Sequence, residues 1–266
     1  MRVIFAGRNN SFNRRLVSEL FEDHELLSCL WLEGPRETWS GKLNMLRRRG
    51  KRHGLVRMLN QFAFQLLDRT LYRKHTRKFM QEVPEYFFKW ADISAPGFDV
   101  DNIHSKEWLE HIRELKPDIV FSVCCTVIFR PSLINIAKYG TFILHEGLTP
   151  EYKGLHTPIW AMLNNEPEFL GYSVLKANKE IDGGEVLVQD GYQLADDEDV
   201  RCWSWVAHKA IIDGVPKIKA ALESLESNGG FEPVATAGRK HGYYSRVPLS
   251  QYLWKRIFPP KPSQTT

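Results

Sequence analysis

His145 and Asp182 are the residues of this 266-residue chain whose types and placing offer acid–base chemistry. The stretch GTFILH at residues 140–145 reads as a strand, and strand alternation puts Thr141, Ile143 and His145 on one face with the imidazole at the strand's end. A lone histidine at a strand end is more often structural than catalytic, but this one has company. Pro150, Tyr152 and Gly154 shape the loop after it, and further on Ile181-Asp182-Gly183-Gly184 interrupts a predicted hairpin. An imidazole and a carboxylate brought together from two such loops can move protons to and from a reacting group.

The elements that must position them alternate along the chain. Residues 2–6 (RVIFA) form a short β-type run, GRNNS a polar loop, residues 12–20 a helical pattern and residues 26–32 (LLSCLWL) the next strand. Ser105 is placed to cap a helix whose Trp108, Leu109, Ile112 and Leu115 share a face, and the strand DIVFSVCC and a short helix at 131–136 follow. Beyond GTFILH come a helical stretch at 160–163, strands at 172–177 and 185–189, and a long helix over 200–227. This alternation predicts an α/β fold with an open, mostly parallel sheet, helices on both faces, and ligands at the carboxyl ends of the strands. The expected organisation is one body over 1–230, with a helical insertion at about 35–90, and a small extension over 231–266 whose last residues fray.

Composition narrows the classes. With 43% hydrophobic and 26% charged residues the chain is globular. Cys29, Cys124, Cys125 and Cys202 show no CxxC spacing, which points to a reducing compartment and to no metal held through them. The opening MRVIFAGRN lacks a signal-peptide series and no apolar run is long enough to span a bilayer, so a cytoplasmic location is expected. The Gly7 loop has no G-x-G-x-x-G pattern, which removes the dinucleotide fingerprint.

Charge is uneven. Residues 35–90 carry 14 Lys and Arg against four Asp and Glu, whereas the rest of the chain carries 22 against 28. Within this segment residues 41–80 are helical in composition, with Leu55, Leu59, Phe62 and Leu66 on one face and Val56, Phe64, Leu67 and Leu71 widening it. A helical excursion docked on the body with a solvated basic rim is the expectation. A membrane surface, an acidic partner or a homodimer contact through 35–90 stand as alternatives, and no specific nucleic acid is expected.

The run His145-x-x-Leu148-x-Pro150-x-Tyr152-x-Gly154-Leu155-His156-Thr157, followed by Gly171-x-Ser173-Val174 and by Ile181-Asp182-Gly183-Gly184-x-Val186-Leu187-Val188-Gln189, resembles the 10-formyltetrahydrofolate-dependent formyltransferases. These act on glycinamide ribonucleotide, methionyl-tRNA or amino sugars, and they share a Rossmann-like α/β fold. The similarity runs from about 100 to 215, with a consistent layout over 1–34. It implies 10-formyltetrahydrofolate as formyl donor, a small-molecule amine acceptor, no metal, and a catalytic set of Asn-x-His on the strand with Asp in the later loop.

By that match His145 takes the histidine place, Asp182 the aspartate place, and Ile143 stands where the family has asparagine. Val127, Ile128 and Phe129 match the turn that holds the pterin, and Ile143, Asn178 and Ile181 complete its expected walls. Asn10, Ser11, Tyr152 and His156 are the candidate acceptor-binding residues. The loop Gly7-Arg8-Asn9-Asn10-Ser11 lacks the glycine-rich phosphate turn of the purine enzymes, and a full extra domain like that of the tRNA enzymes is not expected in the length after residue 227. An amino sugar, nucleotide- or lipid-linked, is the acceptor that remains.

Isoleucine has no hydrogen-bond donor, and losing one oxyanion donor costs about 10²–10³-fold in turnover. Three consequences stay open. Thr126, Asn178, His156 or a backbone N–H near Gly147 replaces the amide; or the site binds folate as a module without efficient turnover; or His145 and Asp182 serve an altered, hydrolase-like chemistry.

Overall fold

The computed structural model describes residues 1–32, 54–124 and 127–260. β1 (Arg2–Gly7) shows why the sheet is parallel. Val3, Ile4, Phe5 and Ala6 are fully buried, a continuous apolar run that needs cover on both faces. α1 (Ser11–Leu20) covers one face with Leu16, Val17 and Leu20; it starts where the Asn10 side chain accepts from the Asn13 N–H at 2.8 Å. β2 (Glu25–Leu32) then pairs in parallel with β1.

α2 (Leu55–Leu67) runs through a π turn at Asp68–Tyr72 into α3 (Arg73–Met80). β3 (Gly97–Val100) is followed by α4 (Lys106–Leu115), capped as expected by Ser105, and by β4 (Ile119–Val123) and β5 (Gly140–His145). Next come β6 (Lys153–Gly154), α5 (Thr157–Asn164), β7 (Gly171–Lys176), β8 (Glu185–Gly191), α6 (Trp203–Asn228), β9 (Tyr243–Tyr244) and α7 (Leu249–Ile257).

Among the described residues the main sheet has seven strands in the order β3-β2-β1-β4-β5-β7-β8. The first five run parallel, and β7 and β8 are antiparallel additions. The mostly parallel α/β expectation is therefore met. The strand order reverses direction between β1 and β4, and the crevice at their carboxyl ends is where such sheets bind ligands.

Two differences from the sequence reading bear on the site. β3 was not anticipated, because GFDV is an exposed edge with no buried alternation, and β9, which pairs in parallel with β6, is only two residues long. In α2 the apolar stripe is not the buried face. Phe64 is fully buried against Tyr252, whereas Leu55, Leu59, Phe62 and Leu66 are more than half exposed. The helix is thus amphipathic in an unusual sense, docked by Phe64 and by polar bonds from Asn60 to Ser250 and from Gln61 to the Arg246 carbonyl. The RRRGKR cluster at 47–52 and the helical expectation for 41–53 lie outside the described residues. No described helix is long and apolar enough to cross a membrane.

Candidate functional site

β5 is the strand on which the site is built. Phe142 and Leu144 are fully buried, and the strand is bonded on both sides, Ile143 opposite Ser122 of β4 and Leu175 of β7, His145 opposite Ser173. A one-residue slip would turn those apolar residues out, so the register that seats the core also seats His145. The imidazole is buried, with 5% of its surface exposed.

Its two nitrogens have different partners. Nε2 lies 2.8 Å from the Tyr152 carbonyl oxygen, which accepts only, so Nε2 carries a hydrogen. Nδ1 faces Asp182 Oδ2 at 3.7 Å. The backbone makes room for this arrangement at Gly147. A Cβ there would lie 2.9 Å from the Tyr152 oxygen and the Thr157 Oγ1 and 3.1 Å from His145 Nε2.

Asp182 is held by loop chemistry instead. Its φ of +49° places it in the left-handed region, and its Oδ2 accepts from the Gly154 N–H at 3.0 Å. Asn178 braces the same loop from inside, donating to the Gly183 carbonyl at 3.1 Å and accepting from the Glu180 N–H at 2.7 Å. Lys153, nearly buried, reaches out to Glu180 at 2.5 Å, and this contact holds the Glu180 carboxyl below the usual carboxylate range.

His145 and Asp182 share one cavity of about 660 Å³ at the carboxyl ends of β4 and β5. Val127, Ile128, Phe129, Ile143, Asn178 and Ile181 all line it, and Ile143 offers the wall no donor. Leu59 and Phe62 from the exposed stripe of α2 line it as well. Of the replacement donors considered, Asn178 lines the cavity, Thr126 lies outside the described residues, and His156 and Gly147 are not part of the lining.

The candidate acceptor residues are placed less favourably. Asn10 and Ser11 do not line the cavity, and both side chains are engaged: Asn10 caps α1 and Ser11 donates to the Phe87 carbonyl at 3.1 Å. Tyr152 contributes its carbonyl, while its ring is buried and its hydroxyl bonds Glu166 and Asn164. His156 sits at the amino end of α5 with its ring 5.0 Å from Trp203, and burial lowers its pKa to about 4. At neutral pH it is an uncharged packing group.

Sequence reasoning missed several contributors. Glu146, next to His145, lines the cavity. The segment after residue 231 is no bystander. β9 pairs with β6 beside the Asp182 anchor, the Glu151 carboxylate is clasped by Arg239 at 2.7 and 2.6 Å, and Tyr243, Ser245 and Arg246 line the cavity. The acid next to the histidine was legible as a residue type; the tail's role was not, because two-residue strands leave no pattern. No group of three metal-ligating side chains occurs among the described residues.

Residues 73–209 match the Formyl transferase family, a span that includes both His145 and Asp182. A curated relative, the bifunctional polymyxin resistance protein ArnA of Wigglesworthia glossinidia brevipalpis, is 35% identical over 94 residues, a stretch that spans 35% of this chain and 14% of that protein. Among solved structures, a sugar N-formyltransferase from Shewanella superposes with a TM-score of 0.55 at 17% identity, covering 92% of this chain and 76% of the other. An N-formyltransferase from Helicobacter canadensis, in complex with folinic acid and dTDP-3-aminofucose, gives 0.52 at 17% identity over 92% and 70%. The phosphoribosylglycinamide formyltransferase of Anaplasma phagocytophilum gives 0.54 at 13% identity over 91% and 96%.

Proposed function

Because this chain belongs to the formyl transferase family, we propose that it transfers a formyl group from 10-formyltetrahydrofolate to the amine of a nucleotide- or lipid-linked amino sugar, using His145 and Asp182. The observation that carries the reading is the meeting of those two residues, from separate elements, at 3.7 Å within one cavity. The Helicobacter relative, solved with folinic acid and a nucleotide-linked amino sugar, supports the choice of donor and acceptor class.

The walls suit the donor. Val127, Ile128, Phe129, Ile143 and Ile181 give flat apolar surface for a reduced pterin, with His145, Asp182 and Asn178 as the few polar groups that orient it. When bound, the folate supplies an activated formyl carbon. This chain's part is to hold charge and protons around that carbon. Nucleophilic attack puts negative charge on the formyl oxygen, which needs a donor already in place. Protonated His145 supplies one at Nδ1, because Nε2 is committed to the Tyr152 carbonyl. The Asp182 carboxylate, fixed by the Gly154 N–H, stabilises the imidazolium.

The test is binding and turnover together. Wild-type protein is expected to bind 5-formyltetrahydrofolate, a non-donating analogue, and to formylate at least one member of a panel of nucleotide-linked amino sugars. His145→Ala is expected to keep the folate analogue within about tenfold while losing on the order of 10²–10⁴-fold in kcat. No folate binding by the wild type at millimolar concentration sinks the reading. Ile143, an apolar wall where the resembling family carries an amide, favours a second reading, a folate-binding module without efficient turnover. Binding with no transfer by the wild type, and none after Ile143→Asn, would decide for that module.

A further inference from the structure

We propose that Glu146 is a further catalytic residue, the base that binds the incoming acceptor amine and takes its proton; this rests on the formyl transfer reading. The argument begins with the cavity's acids. Glu146, Glu180 and Asp182 line it. Asp182 is committed to the Gly154 N–H and to His145, and Glu180 to Lys153. The Glu146 carboxylate has no hydrogen-bond or ion-pair partner among the described residues. Its backbone, by contrast, is pinned, since the buried Thr157 hydroxyl donates to its carbonyl. A fixed main chain holds this half-buried, unpartnered acid at the cavity wall, where a cationic ligand could take the place of solvent beside it.

The chemistry has a vacancy of the same kind. A sugar amine is an ammonium at neutral pH, and its nitrogen has no lone pair until a proton leaves. His145 cannot fill that role while it serves the formyl oxygen, because its Nε2 hydrogen is tied to the Tyr152 carbonyl. Glu146 first pairs with the ammonium and then accepts one of its protons. The freed lone pair forms the bond to the formyl carbon, and the bond from that carbon to the folate nitrogen breaks with its electron pair. The second proton lost by the acceptor nitrogen on becoming an amide balances the one gained by the folate nitrogen, and Glu146 returns its own to solvent. No oxidant, metal or other co-reactant is needed.

The surroundings fit a base rather than a permanent anion. Burial holds the Glu146 carboxyl above the usual carboxylate range, the nearby Asp182 charge adds to this, and His145 and Arg8 oppose it. Arg8, in the loop after β1, lies near enough for its charge to act on the carboxyl, while the loop itself does not line the cavity.

The experiment compares wild type, Glu146→Gln and Glu146→Asp. Calorimetry measures 5-formyltetrahydrofolate, dTDP-3-aminofucose and its hydroxyl counterpart dTDP-fucose, and kinetics use the best acceptor of the amino-sugar panel between pH 5.5 and 9.5. Glu146→Gln should leave folate-analogue affinity within about threefold, abolish a preference for amine over hydroxyl of about tenfold or more, and lower kcat by on the order of 10²–10⁴-fold. The acidic limb of kcat/KM that belongs to Glu146 should vanish with it, and Glu146→Asp should restore part of the rate. Glu146→Gln with unchanged kcat and amine preference overturns the proposal. So does loss of folate-analogue binding in Glu146→Gln, which would make the residue structural. Failure of the wild type to bind the folate analogue overturns the parent reading and this one with it.

Discussion

The two halves of the cavity are held by different physics. The strand-borne half, Ile143, His145 and Glu146, inherits its position from β5, which is bonded to a neighbour on each side and packed above and below by residues with no exposed surface. The loop-borne half, residues 178–182, is held by discrete contacts: the Asn178 brace, the Lys153–Glu180 pair and the Gly154 N–H on Asp182. Cooperative packing fixes the first within the tolerance of a close-packed core. The second is a sum of separable bonds, each worth about 0.5–1.5 kcal/mol if neutral and buried. Damage to the strand half should therefore be severe and tied to folding, and damage to the loop half graded and tied to binding.

Gly147 is the place to break the strand half. A methyl group there meets two oxygens at 2.9 Å and the His145 Nε2 at 3.1 Å, so the imidazole or the Tyr152 carbonyl has to move. Gly147→Ala is expected to lower kcat/KM by about 10²-fold, the scale of a 1 Å misplacement, and to cost about 1–3 kcal/mol of stability from overpacking. Steady-state kinetics and denaturant unfolding check both figures. A variant with normal kinetics would show that the His145–Tyr152 contact does not position the imidazole.

Lys153 separates the loop half from it. Lys153→Met keeps the buried stem and removes the charge that reaches Glu180. Glu180 is mostly exposed, so solvent screens the pair, and folate-analogue affinity should fall by no more than about fivefold with kcat preserved. Acid should imitate the substitution. The Glu180 carboxyl is held below its ordinary value, so the tie is present above that value and is lost as pH falls through the depressed one. Affinity measured by calorimetry should drop at acid pH in the wild type and less in Lys153→Met. A hundredfold loss of kcat would contradict the division between halves.

The same division explains what the sequence made legible. β1, β4 and β5 were readable because a parallel strand under two layers of helices must be apolar throughout, and GTFILH fixes where His145 emerges. Asp182 was readable because Gly183 and Gly184 mark the turn, and a Cβ at Gly184 would overlap the Lys176 carbonyl. The exposed stripe of α2 misled in the opposite direction. Its periodicity is that of a buried face, yet the helix docks by Phe64 and leaves Leu59 and Phe62 to line the cavity. Contacts such as Lys153–Glu180 and β6–β9 depend on single side chains or two-residue strands, and neither imposes a period on the chain.

In folding stability, Glu146 links the halves, because burial and then Asp182 in the loop raise its carboxyl pKa while His145 on the strand lowers it. A carboxyl held above its ordinary value binds more protons in the folded than in the unfolded chain between the two values, so folding stability falls as pH rises through that window. Above it the folded protein carries the cost of a half-buried anion without a protein partner among the described residues. Glu146→Gln removes that cost. The variant should melt above the wild type at pH 8, and the gap should close as the solution is acidified toward the ordinary carboxylate value, where the acid is neutral in both states. In a chain of this size each kcal/mol recovered raises Tm by about 2–4 °C, enough for calorimetric scans to resolve. Higher stability with lower turnover is the signature of a group kept for chemistry at the expense of the fold. Equal melting at both pH values would instead mean that the carboxylate is already compensated in the free protein.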